Sequence, residues 1–225
     1  MLVAILNDTH CGVRNASQSF LDYSARFYKE VFFPYCDEHG IKQIIHLGDF
    51  YDHRKYINFT ALHHNRKTFL EPMVERNMMM DIIPGNHDVF YKNTNDLCSL
   101  KELLGYFVNN INIIMSPRVM EYGSSRIAML PWMNSENTEQ SLDFVKKCDA
   151  PILASHLELA GFDMMPGVQS PHGMDAKIFD RFEMVWSGHY HTKSTKNNIY
   201  YFGTQYEMTW SDCNDPKFFH VFDTE

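Results

Sequence analysis

Gln43-Ile44-Ile45-His46-Leu47-Gly48-Asp49-Phe50-Tyr51-Asp52 is an apolar run that ends abruptly in two carboxylates separated by two aromatics. A short apolar stretch closed by glycine reads as a buried strand, and the polar cluster after it as the loop at its carboxyl end. Gly48 permits the tight turn that brings the Asp49 side chain up into that loop. The arrangement recurs on both sides. Leu2–Leu6 runs into Asn7-Asp8-Thr9-His10, and Met78–Ile83 into Pro84-Gly85-Asn86-His87-Asp88. Further along, Pro151–Ala154 ends in Ser155-His156, and Met184–Ser187 in Gly188-His189-Tyr190-His191. In an open α/β sheet, ligands bind beyond the carboxyl ends of the strands, so these separated clusters are expected to converge.

Between the strands the pattern changes period. From Ser17 to Glu38, Phe20, Tyr23, Phe27, Val31 and Tyr35 repeat at intervals of three and four, which predicts a helix; Phe59 to Arg76 predicts the next. Gln43–Leu47, Arg126–Leu130, Ile152–Ser155 and Met184–Trp186 complete an alternation of strands and helices, the signature of an α/β domain. From about residue 108 the spacing shortens, and Ile199–Gly203 and Phe218–Phe222 join a β-rich half in which a second sheet is expected. Asn134–Thr138 and Pro166–Gly173 collect Pro, Gly, Ser and Asn and read as surface loops, the latter shaping one wall of a cleft.

Bulk properties set limits. The 225 residues, 44% apolar and 21% charged with no linker, repeat or low-complexity stretch, predict a single domain with a buried core. The opening Met-Leu-Val-Ala-Ile-Leu is too short for a membrane span and lacks the basic start of a secretory signal, so no membrane association is expected. Five scattered cysteines without a CxxC pair exclude a disulfide framework and a zinc knuckle, and suit a reducing cytoplasm. A net charge of −8 argues against nucleic-acid binding by bulk electrostatics, although two divalent cations would cancel part of it locally.

The clusters offer Asp8, His10, Asp49, Asn86, His156, His189 and His191 as ligands for two divalent metal ions. A His-x-His pair in an extended segment points both rings to one side, so each reaches a different ion, and Asp49 is placed to bridge them. Mixed Asp, Asn and His donors suit Mn²⁺ best, with Mg²⁺, Zn²⁺ or Fe²⁺ as alternatives, rather than Ca²⁺ with its all-oxygen sites. Two ions about 3.5 to 4 Å apart support in-line displacement at phosphorus. His87, flanked by ligand-type residues, is expected to protonate the leaving oxygen as a general acid, with Asp52 orienting its ring.

DxH, GDxxD, GNHD, a lone His and GHxH, in that order from residue 8 to 191, resemble the calcineurin-like metallophosphoesterase superfamily. Within it, Leu130-Pro131-Trp132-Met133, Trp186-Ser187-Gly188-His189-Tyr190-His191 and Tyr201-Phe202-Gly203-Thr204 are similar to SbcD-type DNA repair nucleases, in particular the recombination endonuclease subunits of tailed phages. The resemblance covers nearly the whole chain. It implies a four-layer α-β-β-α sandwich, one metal held by Asp8, His10, Asp49 and His191, a second by Asp49, Asn86, His156 and His189, and His87 as the catalytic histidine. It also implies DNA as substrate, an SbcC-type ATPase subunit as partner, and a homodimer formed through Phe20–Tyr35 or Phe59–Leu70. The family's capping and ATPase-binding regions are expected to lie outside residues 1–225, and its location is the cytoplasm, the host's for a phage protein.

One departure bears on substrate. Phosphomonoesterases of the superfamily follow GDxxD with Arg-Gly; here His53 follows Asp52 and Arg54 comes one later, which weakens a phosphatase reading. The alternatives to a nuclease are an enzyme acting on small nucleotides or phosphoproteins, and an interaction module that mainly docks an ATPase. His46 lies inside an apolar strand and reads as a packed core residue. His39, His63, His64 and His220 read as surface or structural, His53 and His172 as solvated loop histidines, Met78-Met79-Met80 as core, and Cys11 as a small buried residue. Arg54 and Lys55, close after Asp49, are candidates to meet a phosphate backbone.

Overall fold

The computed structural model describes residues 1–225. Its strands are β1 (Leu2–Leu6), β2 (Gln43–His46), β3 (Met79–Ile82), β4 (Ile111–Ile113), β5 (Arg118–Tyr122), β6 (Ser125–Leu130), β7 (Ile152–His156), β8 (Asp163–Met165), β9 (Val168–Gln169), β10 (Met184–Gly188), β11 (Ser194–Lys196), β12 (Ile199–Tyr201) and β13 (His220–Asp223). Five of them form one sheet in the order β13-β1-β2-β3-β4, and six form a second in the order β11-β12-β10-β7-β6-β5. Each sheet has a parallel centre: β1 to β4 in the first, and β6, β7, β10 and β12 in the second. Antiparallel β13, β5 and β11 finish the edges.

The period of two along each central strand creates the layers. In β1, Val3 and Ile5 pack between the sheets while Ala4 and Leu6 face the helices; in β6, Ile127 and Met129 point inward while Ala128 and Leu130 point out. The inter-sheet core of Ile45, Leu47, Ile83, Ile152, Ala154 and Trp186 is therefore sandwiched between two further cores. On one side, Phe32, Phe33, Phe69 and Met73 seal two long helices onto the first sheet; on the other, Val145, Phe179 and Phe182 cover the second. This is the expected four-layer α-β-β-α sandwich, and strands buried on both faces explain why the runs read as continuously apolar.

Both long helices form where the spacing places them, over residues 18–38 and 59–75, and each contains a widened π turn, Phe27–Phe32 and Arg66–Leu70. Each widened turn is followed within two residues by a proline, Pro34 or Pro72. Proline offers no N–H to the carbonyl four residues earlier and its ring crowds that carbonyl, so the helix accommodates it by opening a turn rather than breaking. The expected loop Pro166–Gly173 is partly ordered into a hairpin, with β9 pairing against β8. Helices Ser99–Leu104 and Thr138–Lys147, too short or too polar to stand out in the sequence, cap the cores. No helix is long and apolar enough to cross a membrane.

Candidate active site

The central parallel strands of both sheets end at one edge, and their loops meet there. β1 delivers Asp8 and His10, β2 Asp49 and Asp52, β3 Asn86 and His87, β7 His156, and β10 His189 and His191. All nine residues singled out from the sequence are brought together. The loops bend sharply to achieve this: Asp8, His10, Asp49 and His189 have positive φ values of 47°, 40°, 55° and 87°, a conformation that costs side-chain-bearing residues about 1 kcal/mol or more each. Gly48, at φ 93°, makes the expected turn. A Cβ on Gly85 would collide with the Asp49 carboxylate, so glycine there lets the third loop close onto the second.

The donors fall into two nests that share Asp49. In the first, His10 Nε2 lies 3.1 Å from His191 Nε2, 3.8 Å from Asp8 Oδ1 and 3.7 Å from Asp49 Oδ2. In the second, Asn86 Oδ1 lies 3.0 Å from His156 Nε2 and 2.9 Å from His189 Nδ1, and Asp49 Oδ2 is 3.3 Å from His156 Nε2. Asp8 and Asp49 are almost wholly buried, at 0% and 2% exposure. His156 Nδ1 donates to the Leu47 carbonyl at 2.8 Å, so in the neutral ring Nε2 carries a lone pair aimed at two oxygens. Converging ring nitrogens and buried carboxylates need a proton or a cation among them, and this donor set fits a cation in each nest.

The electrostatics follow the same division. Burial alone would lower His156, but the Asp49 carboxylate outweighs it and holds the imidazole up at about 9, while Asp49 itself, against the pull of burial, is held well below the usual carboxylate range by His156 and His10. Burial and the neighbouring imidazoles His156 and His10 push His189 and His191 down to about 4. Both therefore remain neutral ligands at any ordinary pH.

Asp52 contributes differently from expectation. His87 Nδ1 donates to the Asp52 backbone carbonyl at 2.6 Å, whereas the Asp52 carboxylate lies 3.3 Å from His10 Nδ1. The carbonyl, not the side chain, orients His87. Its backbone N–H is fixed too, donating to Asp49 Oδ1 at 2.7 Å. With Nδ1–H committed, Nε2 is the nitrogen left to gain and lose a proton, and it faces an open cleft lined by His10, Asn15, Asn86 and His191.

Sequence reasoning passed over several supports. The Asp88 carboxylate accepts from the backbone N–H groups of Asp49, Phe50, Tyr51 and Gly85 at 2.7 to 3.3 Å, tying the second ligand loop to the third. Asn7 Nδ2 donates to Asp8 Oδ2 at 2.7 Å and to the Gly203 carbonyl, and Gln205 in turn donates to the Asn7 carbonyl. Asp88 sits inside the GNHD cluster and Asn7 beside Asp8, so adjacency to the motifs was the available signal. His220 is half-buried and stacks on Phe202, and Cys11 is half-buried with its thiol toward the Ala61 carbonyl.

His46 is a wholly buried neutral ring: Nδ1 accepts from Gly48 N–H at 3.2 Å, and Nε2 donates to Thr9 Oγ at 3.1 Å, which donates on to the Phe50 carbonyl. Burial drives its pKa down to about 3, against the upward pull of Asp8 and Asp49 and with His156 and His10 reinforcing the fall. A folded value below the unfolded one means stability is present above about pH 6.5 and lost as pH falls toward 3. His46→Gln is expected to lower the melting temperature at pH 7 by several degrees, about 2 kcal/mol for the disturbed buried bonds, and to flatten the fall in melting temperature between pH 6.5 and 4. Thermal unfolding in chelator across that range measures both.

Residues 1–193 match the family described as calcineurin-like phosphoesterase. Over all 225 residues the chain is 32% identical to Exonuclease subunit 1 of Enterobacteria phage T4, and it spans 65% of that protein's length. Among solved structures, an archaeal phosphodiesterase aligns over 100% of this chain and 94% of its own at 12% identity and a TM-score of 0.47. A hypothetical protein from Thermus thermophilus aligns over 91% and 76% at 12% identity and a TM-score of 0.45.

Proposed function

This chain belongs to the calcineurin-like phosphoesterase family, and from that membership we propose that it is a two-metal DNA nuclease. The observation that carries the chemistry is the position of Asp49, shared between two nests of buried donors beside a histidine with one free nitrogen. Asp8, His10, Asp49 and His191 would hold one ion and Asp49, Asn86, His156 and His189 the other, with manganese the best match to the donors. When bound, the pair supplies Lewis acidity, lowering the pKa of an attacking water and neutralising charge on the phosphoryl oxygens.

The remaining work falls to side chains. His87, protonated on Nε2 and held by the Asp52 carbonyl, donates that proton to the departing oxygen as the P–O bond breaks. The Asp52 carboxylate, against the pull of burial, is held below its usual range by His10, so it stays anionic and steadies the His10 ring. Asp88 keeps the Asp49 and Gly85 loops in register. The buried carboxylates are thereby prevented from relaxing apart.

DNA is preferred as substrate on the strength of the phage exonuclease subunit matched along the whole chain. That relative's designation as a subunit supports action with a partner chain, and the resemblance of the motifs to SbcD-type nucleases makes an SbcC-type ATPase, in strand-break processing or recombination, the partner we propose. Exposed Val31 and Tyr35 on the first long helix and Phe59 at the start of the second offer a homodimer surface. Five free cysteines suit a reducing cytoplasm.

The test is cleavage of end-labelled single- and double-stranded DNA by the purified chain with Mn²⁺, Mg²⁺ or chelator, with light scattering on the same preparation. Manganese-dependent cutting that chelator abolishes is expected, from a dimer. Hydrolysis of mononucleotide diesters with no cutting of DNA under any condition would replace the nuclease reading with a small-nucleotide one.

A further inference from the structure

Beside the cleft of the candidate centre lies a second, larger groove of about 740 Å³, walled by Arg14, Phe20, Tyr23, Arg26, Glu207 and Trp210. The two adjoin: Arg14, Met208 and Thr209 line both. Resting on the nuclease reading above, we propose that this groove carries a single unpaired DNA strand away from the scissile phosphate, with a base stacked on Trp210 and backbone phosphates at Arg14 and Arg26.

Trp210 is 91% exposed, an expensive place for an indole in the absence of a ligand. It does not hang on a loose loop. It opens the short turn Trp210–Asp212, where Asp212, itself buried, accepts from the backbone N–H groups of Met208 and Thr209 at 2.9 and 2.8 Å. Asp212 also pairs with Lys217 at 3.0 Å, and the same ammonium donates to the His191 carbonyl at 3.1 Å. A rigid strut thus runs from the candidate ligand loop to the base of the indole. A rigid exposed ring loses little entropy when a base stacks on it.

The charges complement the aromatic. Arg14 spends its Nε–H on the Met208 carbonyl at 3.1 Å, which aims its terminal nitrogens outward, and it has no carboxylate partner. Arg26 lies over the Tyr23 ring at 5.4 Å and is likewise unpaired. Glu207 is the groove's one carboxylate, and the Tyr23 hydroxyl donates to it at 3.3 Å. Two arginines against one glutamate give the groove a net +1, on a chain whose total is −8. Arg14-Asn15-Ala16 runs through three consecutive left-handed residues, φ 57°, 56° and 57°, which places that arginine at the junction of the two clefts. Paired duplex would hide its base faces, so a stacking ring selects an unpaired strand.

The test pairs binding with turnover. In chelator, fluorescein-labelled fifteen-residue oligo(dT) is expected to gain anisotropy on binding the wild type and to quench its tryptophan emission, and by anisotropy Trp210→Ala should bind about tenfold more weakly, with Trp210→Phe restoring most of it. Arg26→Ala is expected to reduce the slope of log affinity against log salt by about 0.7, one phosphate's share on a single strand. With Mn²⁺, the ratio of kcat/KM on a single-stranded 20-mer to that on bis(p-nitrophenyl) phosphate should fall about tenfold in Trp210→Ala. Unchanged binding and an unchanged ratio in Trp210→Ala, in a wild type that does cut DNA, overturn the groove assignment alone. A wild type that hydrolyses the small diester but neither binds nor cuts DNA overturns the nuclease reading and this inference with it. Indole emission that shifts with protein concentration would mark the groove as buried by a second copy, and equally overturns it.

Discussion

Asp49→Asn is expected to remove phosphodiester hydrolysis almost completely, by about a thousandfold or more in kcat/KM, while leaving the protein folded. The substitution keeps an oxygen that can accept from His87 N–H, as Oδ1 does at 2.7 Å, so the third loop retains its anchor. What it removes is the charge on Oδ2, the atom within 3.7 Å of His10 Nε2 and 3.3 Å of His156 Nε2. No other carboxylate comes within 4.0 Å of imidazole nitrogens in both nests: Asp8 does so only for His10 and His191. Loss of the shared ligand therefore weakens both sites at once, and several kcal/mol of transition-state stabilisation goes with them. Calorimetric titration with Mn²⁺ should fall from two ions bound to one at most, with circular dichroism unchanged. Retention of two tight ions and wild-type turnover would dismiss Asp49 as the bridge.

His87→Ala is expected to behave in the opposite way, keeping both ions and losing about 10²- to 10⁴-fold in kcat. The ring touches the centre only through its edge, with its centroid 4.8 Å from that of His10 and its Nδ1 committed to the Asp52 carbonyl. On the general-acid reading, in which its proton goes to the leaving oxygen, the deficit should scale with how badly that oxygen needs one. DNA, which expels an alkoxide, should suffer most; bis(p-nitrophenyl) phosphate, which expels a stable phenolate, should suffer least. An equal loss on both substrates would assign His87 to holding the substrate rather than to proton transfer.

The legible parts of this molecule were those in which chemistry and period coincide. β1 runs over Leu2–Leu6 as read, and β2, β3, β6, β7 and β10 differ from their apolar runs by a residue or two at the ends. Runs buried on both faces leave a strong mark because every position is apolar, and the ligand clusters punctuate them. Ser99–Leu104 and Thr138–Lys147 were not legible, since each lays only a narrow apolar stripe on its core. The prolines in the long helices signal interruption, yet a widened turn absorbs each, because tertiary packing of Phe32, Phe33 and Phe69 outweighs the local defect. Within the site, side-chain identities were readable but backbone roles were not. Nothing in Gly-Asp-Phe-Tyr-Asp reveals that the Asp52 carbonyl, rather than its carboxylate, would meet His87. The bracing of Trp210 was equally hidden, because Asp212, Lys217 and His191 are linked only through space.

The donors of the centre are split across the seam between the two sheets. Asp8, His10, Asp49 and Asn86 hang from the first, and His156, His189 and His191 from the second. Apolar packing along that seam holds the sheets together and interlocks their side chains, but it imposes no directional bond at the rim. Charged donors do. On the two-metal reading, an ion gripped from both sides would rivet one rim of the joint, at the place where displacement at phosphorus tolerates least play. The oxygen-rich half alone would favour a hard ion and the imidazole-rich half a softer one, so on that reading the choice of metal would be made only when the halves dock. Selectivity would in that sense belong to the loops at the seam and not to either sheet.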